Sequence, residues 1–161
     1  NGQAPLLSVF GGKLTTYRKL AEHAMEKLAN YYPGIGPAWT RNGVLPGGDI
    51  GSDRDDYAAK LRRRYPFISE ALARHYARTY GSNTEKVLGE AQSLSDLGEH
   101  FGHDLYEAEL RYLVEHEWVR RLDDAIWRRT KLGMWLNAEE QSRVAQWLVQ
   151  HAGKPELSLA S

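Results

Sequence analysis

The chain has 161 residues, enough for one domain with a sizeable core or for a domain plus part of a second. Its 21 basic and 21 acidic residues cancel, so no global field draws it to nucleic acid or to an anionic membrane. With no cysteine, disulfides and thiolate chemistry are excluded, and no uninterrupted apolar run approaches the roughly 20 residues of a spanning helix.

In chain order, Leu6 to Phe10 is an apolar, partly β-branched run that predicts the end of a buried strand. Gly11 and Gly12 break it. From Leu14 onward Leu14, Tyr17, Ala21, Ala24 and Leu28 recur at spacings of three and four, which predicts a helix from about Leu14 to Tyr31 that buries one face. Arg18 and Glu22 are placed to pair across one turn of its wet face. A strand at the head of a helical chain exposes both edges unless it completes a sheet held elsewhere. Residues 1–31 are therefore expected to be the last strand, turn and helix of an upstream domain in a longer polypeptide.

Pro33-Gly34-Ile35-Gly36-Pro37 forbids continued helix, and residues 32–51 read as a connector stitched down by Trp39, Val44 and Leu45. Ser52 with Asp55 suggests a capping box ahead of a helix carrying Tyr57, Leu61 and Tyr65 inward. Helix resumes from Phe67 to Tyr80 with Ile68, Leu72 and Tyr76 on one side, and Gly81 ends it. Shorter turns are expected over Asn83–Glu90 and Leu94–Phe101. The densest helical signal starts near Asp104, with Tyr106, Leu110, Leu113, Val114 and Trp118 as its stripe and Glu109 among the residues facing outward or pairing with neighbours. Asp123 is placed to cap a helix through Ile126 and Trp127. Asn137 and Glu140 form a capping box for the last helix, with Val144, Trp147, Leu148 and His151 inward. Gly153 and Pro155 close it before a loose tail. The expected fold is mainly α: a strand–turn–helix (1–31), a connector (32–51), a multi-helix domain (52–152) and a tail (153–161).

The turn from Gly11 to Thr15 is the stretch with the most specific chemistry. A helix starting there offers unpaired N–H groups and the positive end of its dipole, beside glycines that admit a ligand close to the backbone. That suits an anion or a polarised carbonyl. It is not the phosphate loop of nucleotide hydrolases, because Leu14 rather than Ser or Thr follows Lys13, and no G-x-G-x-x-G occurs in the chain. The basic runs around Arg62 and Arg128 have acidic residues close by, so they read as ion-paired helix faces rather than a nucleic-acid surface. Glu109 and His116 share a helix face but are too few for a metal, so no metal site is expected; a polar network fixing how helices cross fits them better, together with Arg120 and Asp124. Asp96 and Glu99 read as helix-start acids rather than a glycosidase pair.

The run from Ser8-Val9-Phe10-Gly11-Gly12-Lys13-Leu14-Thr15-Thr16-Tyr17-Arg18 to Glu22 resembles the segment after the last flavin-domain strand of the FAD-dependent, aerobic glycerol-3-phosphate dehydrogenase family. The resemblance continues through Leu45-Pro46-Gly47-Gly48 and Arg74-His75-Tyr76-Ala77-Arg78-Thr79-Tyr80-Gly81. It extends to Glu107–Glu117 and Asp123–Gly133, which resemble that family's carboxy-terminal helical domain. It implies a cytoplasmic flavoenzyme attached peripherally to the inner face of the cytoplasmic membrane, oxidising sn-glycerol 3-phosphate to dihydroxyacetone phosphate and passing electrons to quinone. It places Gly11, Gly12, Lys13, Leu14 and Thr15 against the flavin, with Lys13 as the catalytic residue serving the substrate oxygen or its phosphate. FAD is implied for the full-length enzyme and not for this fragment, which lacks the dinucleotide fingerprint and is expected to be inactive. The implied partner is the upstream FAD-binding domain, with self-association open and no nucleic acid. The alternative reading is a helical protein-interaction module without a catalytic role.

Overall fold

The computed structural model describes residues 4–153. The chain divides into two compact units, residues 1–45 and 46–161. The architecture is mainly α-helical, with one small antiparallel strand pair in the second unit.

In the first unit, a 3₁₀ turn over Leu14–Thr16 leads into helix α1 (Tyr17–Leu28), which tightens into a second 3₁₀ turn at Ala29–Tyr31. The expected strand over Leu6–Phe10 is not formed among the described residues. A strand exists by virtue of the ladder it shares with a neighbour, and this run has none. The apolar face of the helix is likewise open rather than buried. None of residues 4–45 is buried, and Phe10 is 94% exposed, with Leu14 and Tyr17 also exposed.

The second unit holds the core. Helix α2 (Arg54–Arg64) starts one residue later than expected, because Asp53 rather than Ser52 accepts the Asp55 and Asp56 amides on its carboxylate. Helix α3 (Glu70–Thr79) is capped by Ser69, whose hydroxyl accepts the Leu72 amide. The two helices bury Ala58, Leu61, Leu72, Ala73, Tyr76 and Ala77. A short helix α4 (Thr84–Leu88) follows. Strands β1 (His100–Gly102) and β2 (Leu105–Tyr106) then pair antiparallel, so the next helix begins later than its periodicity suggests.

Helix α5 (Glu107–His116) contributes Leu110 and Leu113 to the centre of the core. Each large apolar side chain so buried stabilises by about 1.5–3 kcal/mol relative to exposure. Its end corrects the expected stripe. The amides of Glu117 and Val119 both bond the Leu113 carbonyl at 3.1 Å, and Trp118 takes the left-handed conformation (φ 58°) of the residue that closes a Schellman turn. Trp118 therefore leaves the helical face and stands 82% exposed. A π-helical segment, Asp124–Arg129, follows; Asp124 rather than Asp123 secures its start by accepting the Arg120 and Arg121 amides. Helix α6 (Ala138–His151) opens with the expected capping box, Glu140 and Asn137 each accepting the other's amide. Val144, Trp147 and Leu148 are buried, but His151 is exposed, its ring stacked on Trp147 at 4.2 Å. Pro155 and the expected tail lie outside the described residues, and no described helix is long and apolar enough to cross a membrane.

The segment entering this unit is fastened by two glycines. The Ser82 amide donates to the Gly47 carbonyl at 3.1 Å, and a Cβ on Gly81 (φ 53°) would strike that carbonyl oxygen. Gly89 has the same φ of 53° but open space around it. Gly89→Ala should therefore cost only backbone strain, about 1–3 kcal/mol. Gly81→Ala should cost more, because the 47–82 fastening must also part. Urea unfolding of the two variants, compared with the wild type, checks the order.

Candidate functional site

The five residues singled out from the sequence form one continuous turn. Gly11 (φ 80°) and Gly12 (φ 132°) both use backbone conformations that side-chained residues rarely adopt. A Cβ on Gly11 would meet nothing within 4 Å, whereas one on Gly12 would sit 3.1 Å from the Leu20 side chain. The turn is thus packed on one side and open on the other. Lys13 is extended (φ −113°, ψ 140°), and its carbonyl accepts the Thr16 amide at 2.9 Å and the Thr16 hydroxyl at 3.0 Å. Leu14 and Thr15, first in the helical run, have amides with no intrahelical acceptor. The side chains of Lys13, Leu14 and Thr15 are all exposed.

One turn along α1, Glu22 gathers the charges of the same helix. Its carboxylate meets Arg18 at 2.6 Å and Lys19 at 3.0 Å and accepts the Thr40 hydroxyl at 3.0 Å. Arg18–Glu22 was legible from spacing; the link to Thr40 was not, since nothing local marks a partner 18 residues away. Lys19 first, then Thr40 and Arg18, hold the Glu22 carboxyl at about 2. Ala21, Met25, Ile35, Pro37 and Trp39 line a mostly apolar cleft of about 500 Å³ beside it.

In the second unit the polar centre is Glu109, which is 0% exposed. Its Oε1 lies 2.8 Å from His75 Nε2 on α3 and accepts the Tyr80 hydroxyl at 2.5 Å. Glu109 Oε2 and the Tyr76 hydroxyl are buried without a protein partner among the described residues. The polar network expected to fix how the helices cross is present at Glu109, a residue whose sequence position suits facing outward or pairing with neighbours and shares a face with His116. The structure instead joins it to His75 and Tyr80, while His116 is exposed beside Tyr112. The signal was present: Glu109 precedes Tyr112 and Leu113 by three and four residues, on the buried side of α5. Burial works to lower the His75 pKa, but the Glu109 carboxylate outweighs it and the net shift is upward.

The remaining candidates resolve as structural. Asp96 accepts the amides of Gln92 and Ser93, which lower its pKa, and Glu99 pairs with Arg143 at 2.8 Å. Arg64 pairs with Glu85, Arg128 with Asp124 and Arg129 with Glu117, as expected of ion-paired faces. Arg120 spends its guanidinium on the Val114 and Val119 carbonyls. An open cleft of about 700 Å³ lined by Asp53, Arg54, Asp55, Arg74 and Arg78 carries both signs of charge. Among the described residues no group of three or more His, Asp or Glu side chains is placed to hold a metal ion.

Residues 38–156 match the family model described as the C-terminal domain of alpha-glycerophosphate oxidase. The chain is 75% identical, over its full length, to the aerobic glycerol-3-phosphate dehydrogenase of Escherichia coli, covering 32% of that protein. It is 44% identical to a glycerol-3-phosphate dehydrogenase of Pseudomonas aeruginosa, over 99% of this chain and 31% of that one. It is also 46% identical to the D-erythritol 1-phosphate dehydrogenase of Brucella abortus, over 91% of this chain and 29% of that one. The chain thus spans about a third of the length of the curated relatives it matches.

The Glu22 cluster makes a prediction about pH. A carboxyl lowered from 4.5 to about 2 adds stability that is fully present above 4.5 and lost as pH falls through about 2. Carboxyl NMR of Glu22 should show that low midpoint, and Thr40→Val should move it upward.

Proposed function

The chain belongs to the family of C-terminal domains of alpha-glycerophosphate oxidase, and from that premise we propose that it serves as the carboxy-terminal part of an FAD-dependent, quinone-linked enzyme oxidising sn-glycerol 3-phosphate to dihydroxyacetone phosphate. The observation that carries this reading is the 75% identity, over the whole chain, to the E. coli aerobic glycerol-3-phosphate dehydrogenase. The D-erythritol 1-phosphate dehydrogenase of Brucella abortus, at 46%, acts by its name on another polyol phosphate, and the higher identity favours the glycerol ester.

The residues present fit a flat, electron-accepting ring. The backbone at Gly11 is open to close approach, with nothing within 4 Å of where a Cβ would stand. FAD, when bound, would supply the acceptor for the hydride leaving the substrate's C2 carbon, with a base taking the proton of the C2 hydroxyl. The free amides of Leu14 and Thr15, at the start of the helical run, stabilise negative charge at the ring edge, and Gly12 keeps that turn close. The Lys13 ammonium neutralises the substrate oxygen or its phosphate, acting as a mobile point charge. What supports contact with an upstream FAD-binding domain is the open apolar face around α1, where Leu14, Tyr17 and Leu20 lie exposed. The helical unit, residues 52–152, acts as a structural and docking module, and the parent enzyme attaches peripherally to the cytoplasmic side of the membrane. A second reading, a protein-interaction module, draws support from the exposed Trp118, Met134 and Trp135.

Replacing the corresponding third of the E. coli relative by this chain tests the reading. The chimaera should retain FAD and reduce a quinone analogue with glycerol 3-phosphate; an FAD-loaded chimaera inert to that substrate sinks it. Within the chimaera, Lys13→Met should lower kcat/KM about 10²–10³-fold. A loss in kcat marks the substrate oxygen as its target, and a rise in KM marks the phosphate. The isolated chain should show neither bound flavin nor activity.

A further inference from the structure

We propose that His75 and Glu109 form a proton-dependent clamp between α3 and α5, closed while the imidazole is charged and released as pH rises. Three features of the geometry lead there. The carboxylate is fully buried, its contact to His75 spans two different helices at 2.8 Å, and the only other donor on it among the described residues is the Tyr80 hydroxyl. Both bonds fall on Oε1, which leaves Oε2 with none. A buried carboxylate in that position relies on a neighbouring positive charge, because removing one partner of a buried pair leaves an uncompensated charge. His75 is the cation in contact with it.

The surroundings bias the imidazole toward its charged form. Facing His75 from α5 is Glu109, and from the turn before β2 is Asp104; both favour the proton. Arg78 on its own helix opposes it, as does burial itself, and the rings of Tyr76 and Tyr80 pack against it at 5.3 Å and 6.4 Å. Tyr112 of α5 stands edge-on to Tyr80 at 5.2 Å, so aromatic rings wall one side of the clamp, while the His75 side chain stays 13% exposed. A histidine whose folded pKa lies above 6.5 binds more protons in the native state than in the unfolded one. The stabilisation is then complete below 6.5 and disappears as pH rises through the folded value. Each pKa unit of that difference changes the folding equilibrium about tenfold.

The test is urea unfolding at about pH 6 and about pH 9 for the wild type, Glu109→Gln and the exposed-site control His116→Gln, with imidazole NMR titration of His75 and amide hydrogen exchange in the wild type. The wild type and His116→Gln should lose stability severalfold in equilibrium constant between the two pH values, and Glu109→Gln should lose almost none of it. Amides of α3 and α5 should open more at the higher pH after correction for intrinsic exchange. A wild-type slope retained in Glu109→Gln overturns the clamp, as does a His75 midpoint at or below 6.5. Unchanged protection of α3 and α5 overturns the release step. If Glu109→Gln fails to fold, the two wild-type measurements decide alone.

Discussion

A carboxylate in an apolar interior has to be answered, and in this domain the answer fixes the relation of two helices. Glu109 brings α5 to α3 through His75 and to the end of α3 through Tyr80. The hydrophobic contacts around it, from Leu72 and Tyr76 to Leu110 and Leu113, favour burial without specifying which turn of one helix meets which turn of the other. The charged hydrogen bond does specify it, because a slip of one turn would strand the carboxylate among hydrocarbon. Thr84 ties α4 to α3 in a similar way, donating its buried hydroxyl to the Tyr76 carbonyl at 3.2 Å.

The two units stand in contrast in how they meet water. Residues 46–153 surround a continuous core to which α2, α3, α5 and α6 all contribute. Residues 4–45 bury nothing completely, and their order rests on local devices: the Thr16 turn bonds, the Glu22 charge cluster and helical hydrogen bonding. Such exposed local terms contribute far less than a packed face supplies. A helix of this kind is marginal without a surface to lie on. That is the physical reason for reading the first unit as one edge of a larger site.

The mainly α character was legible because a buried stripe imposes a period of 3.6 residues on the sequence, and Asn137 with Glu140 announced the last helix through the capping chemistry itself. Leu6–Phe10 has the composition of a strand, but a strand's hydrogen bonds belong to a neighbour, here expected in a sheet held elsewhere. The misses lie at helix ends. Trp118 continues an apolar period beyond the point where the backbone has turned away at the α5 closing turn, whereas His151 still lies in the last turn of α6 and is exposed, its ring stacked on Trp147. Asp53 displaced Ser52, and Asp124 displaced Asp123, because adjacent residues of equal capping ability differ only in tertiary placement. At the glycine turn, the conformations of Gly11 and Gly12 follow from residue type. Glu109 was legible as part of a network that fixes how helices cross; its partners His75 and Tyr80 were not, because nothing local marks a partner on another helix.

The distribution of aromatic rings has an optical consequence. Trp39, Trp118 and Trp135 are exposed and Trp127 partly so, leaving Trp147 as the buried indole, whereas Tyr65, Tyr76, Tyr80 and Tyr112 are all interior. The intrinsic emission of this chain is therefore dominated by surface fluorophores. A tryptophan signal weighted to the surface is sensitive to whatever lies against the outside, while the buried indole of Trp147 shares the core with those four tyrosines. A change in tryptophan colour on mixing with another molecule would register contact at these surface rings.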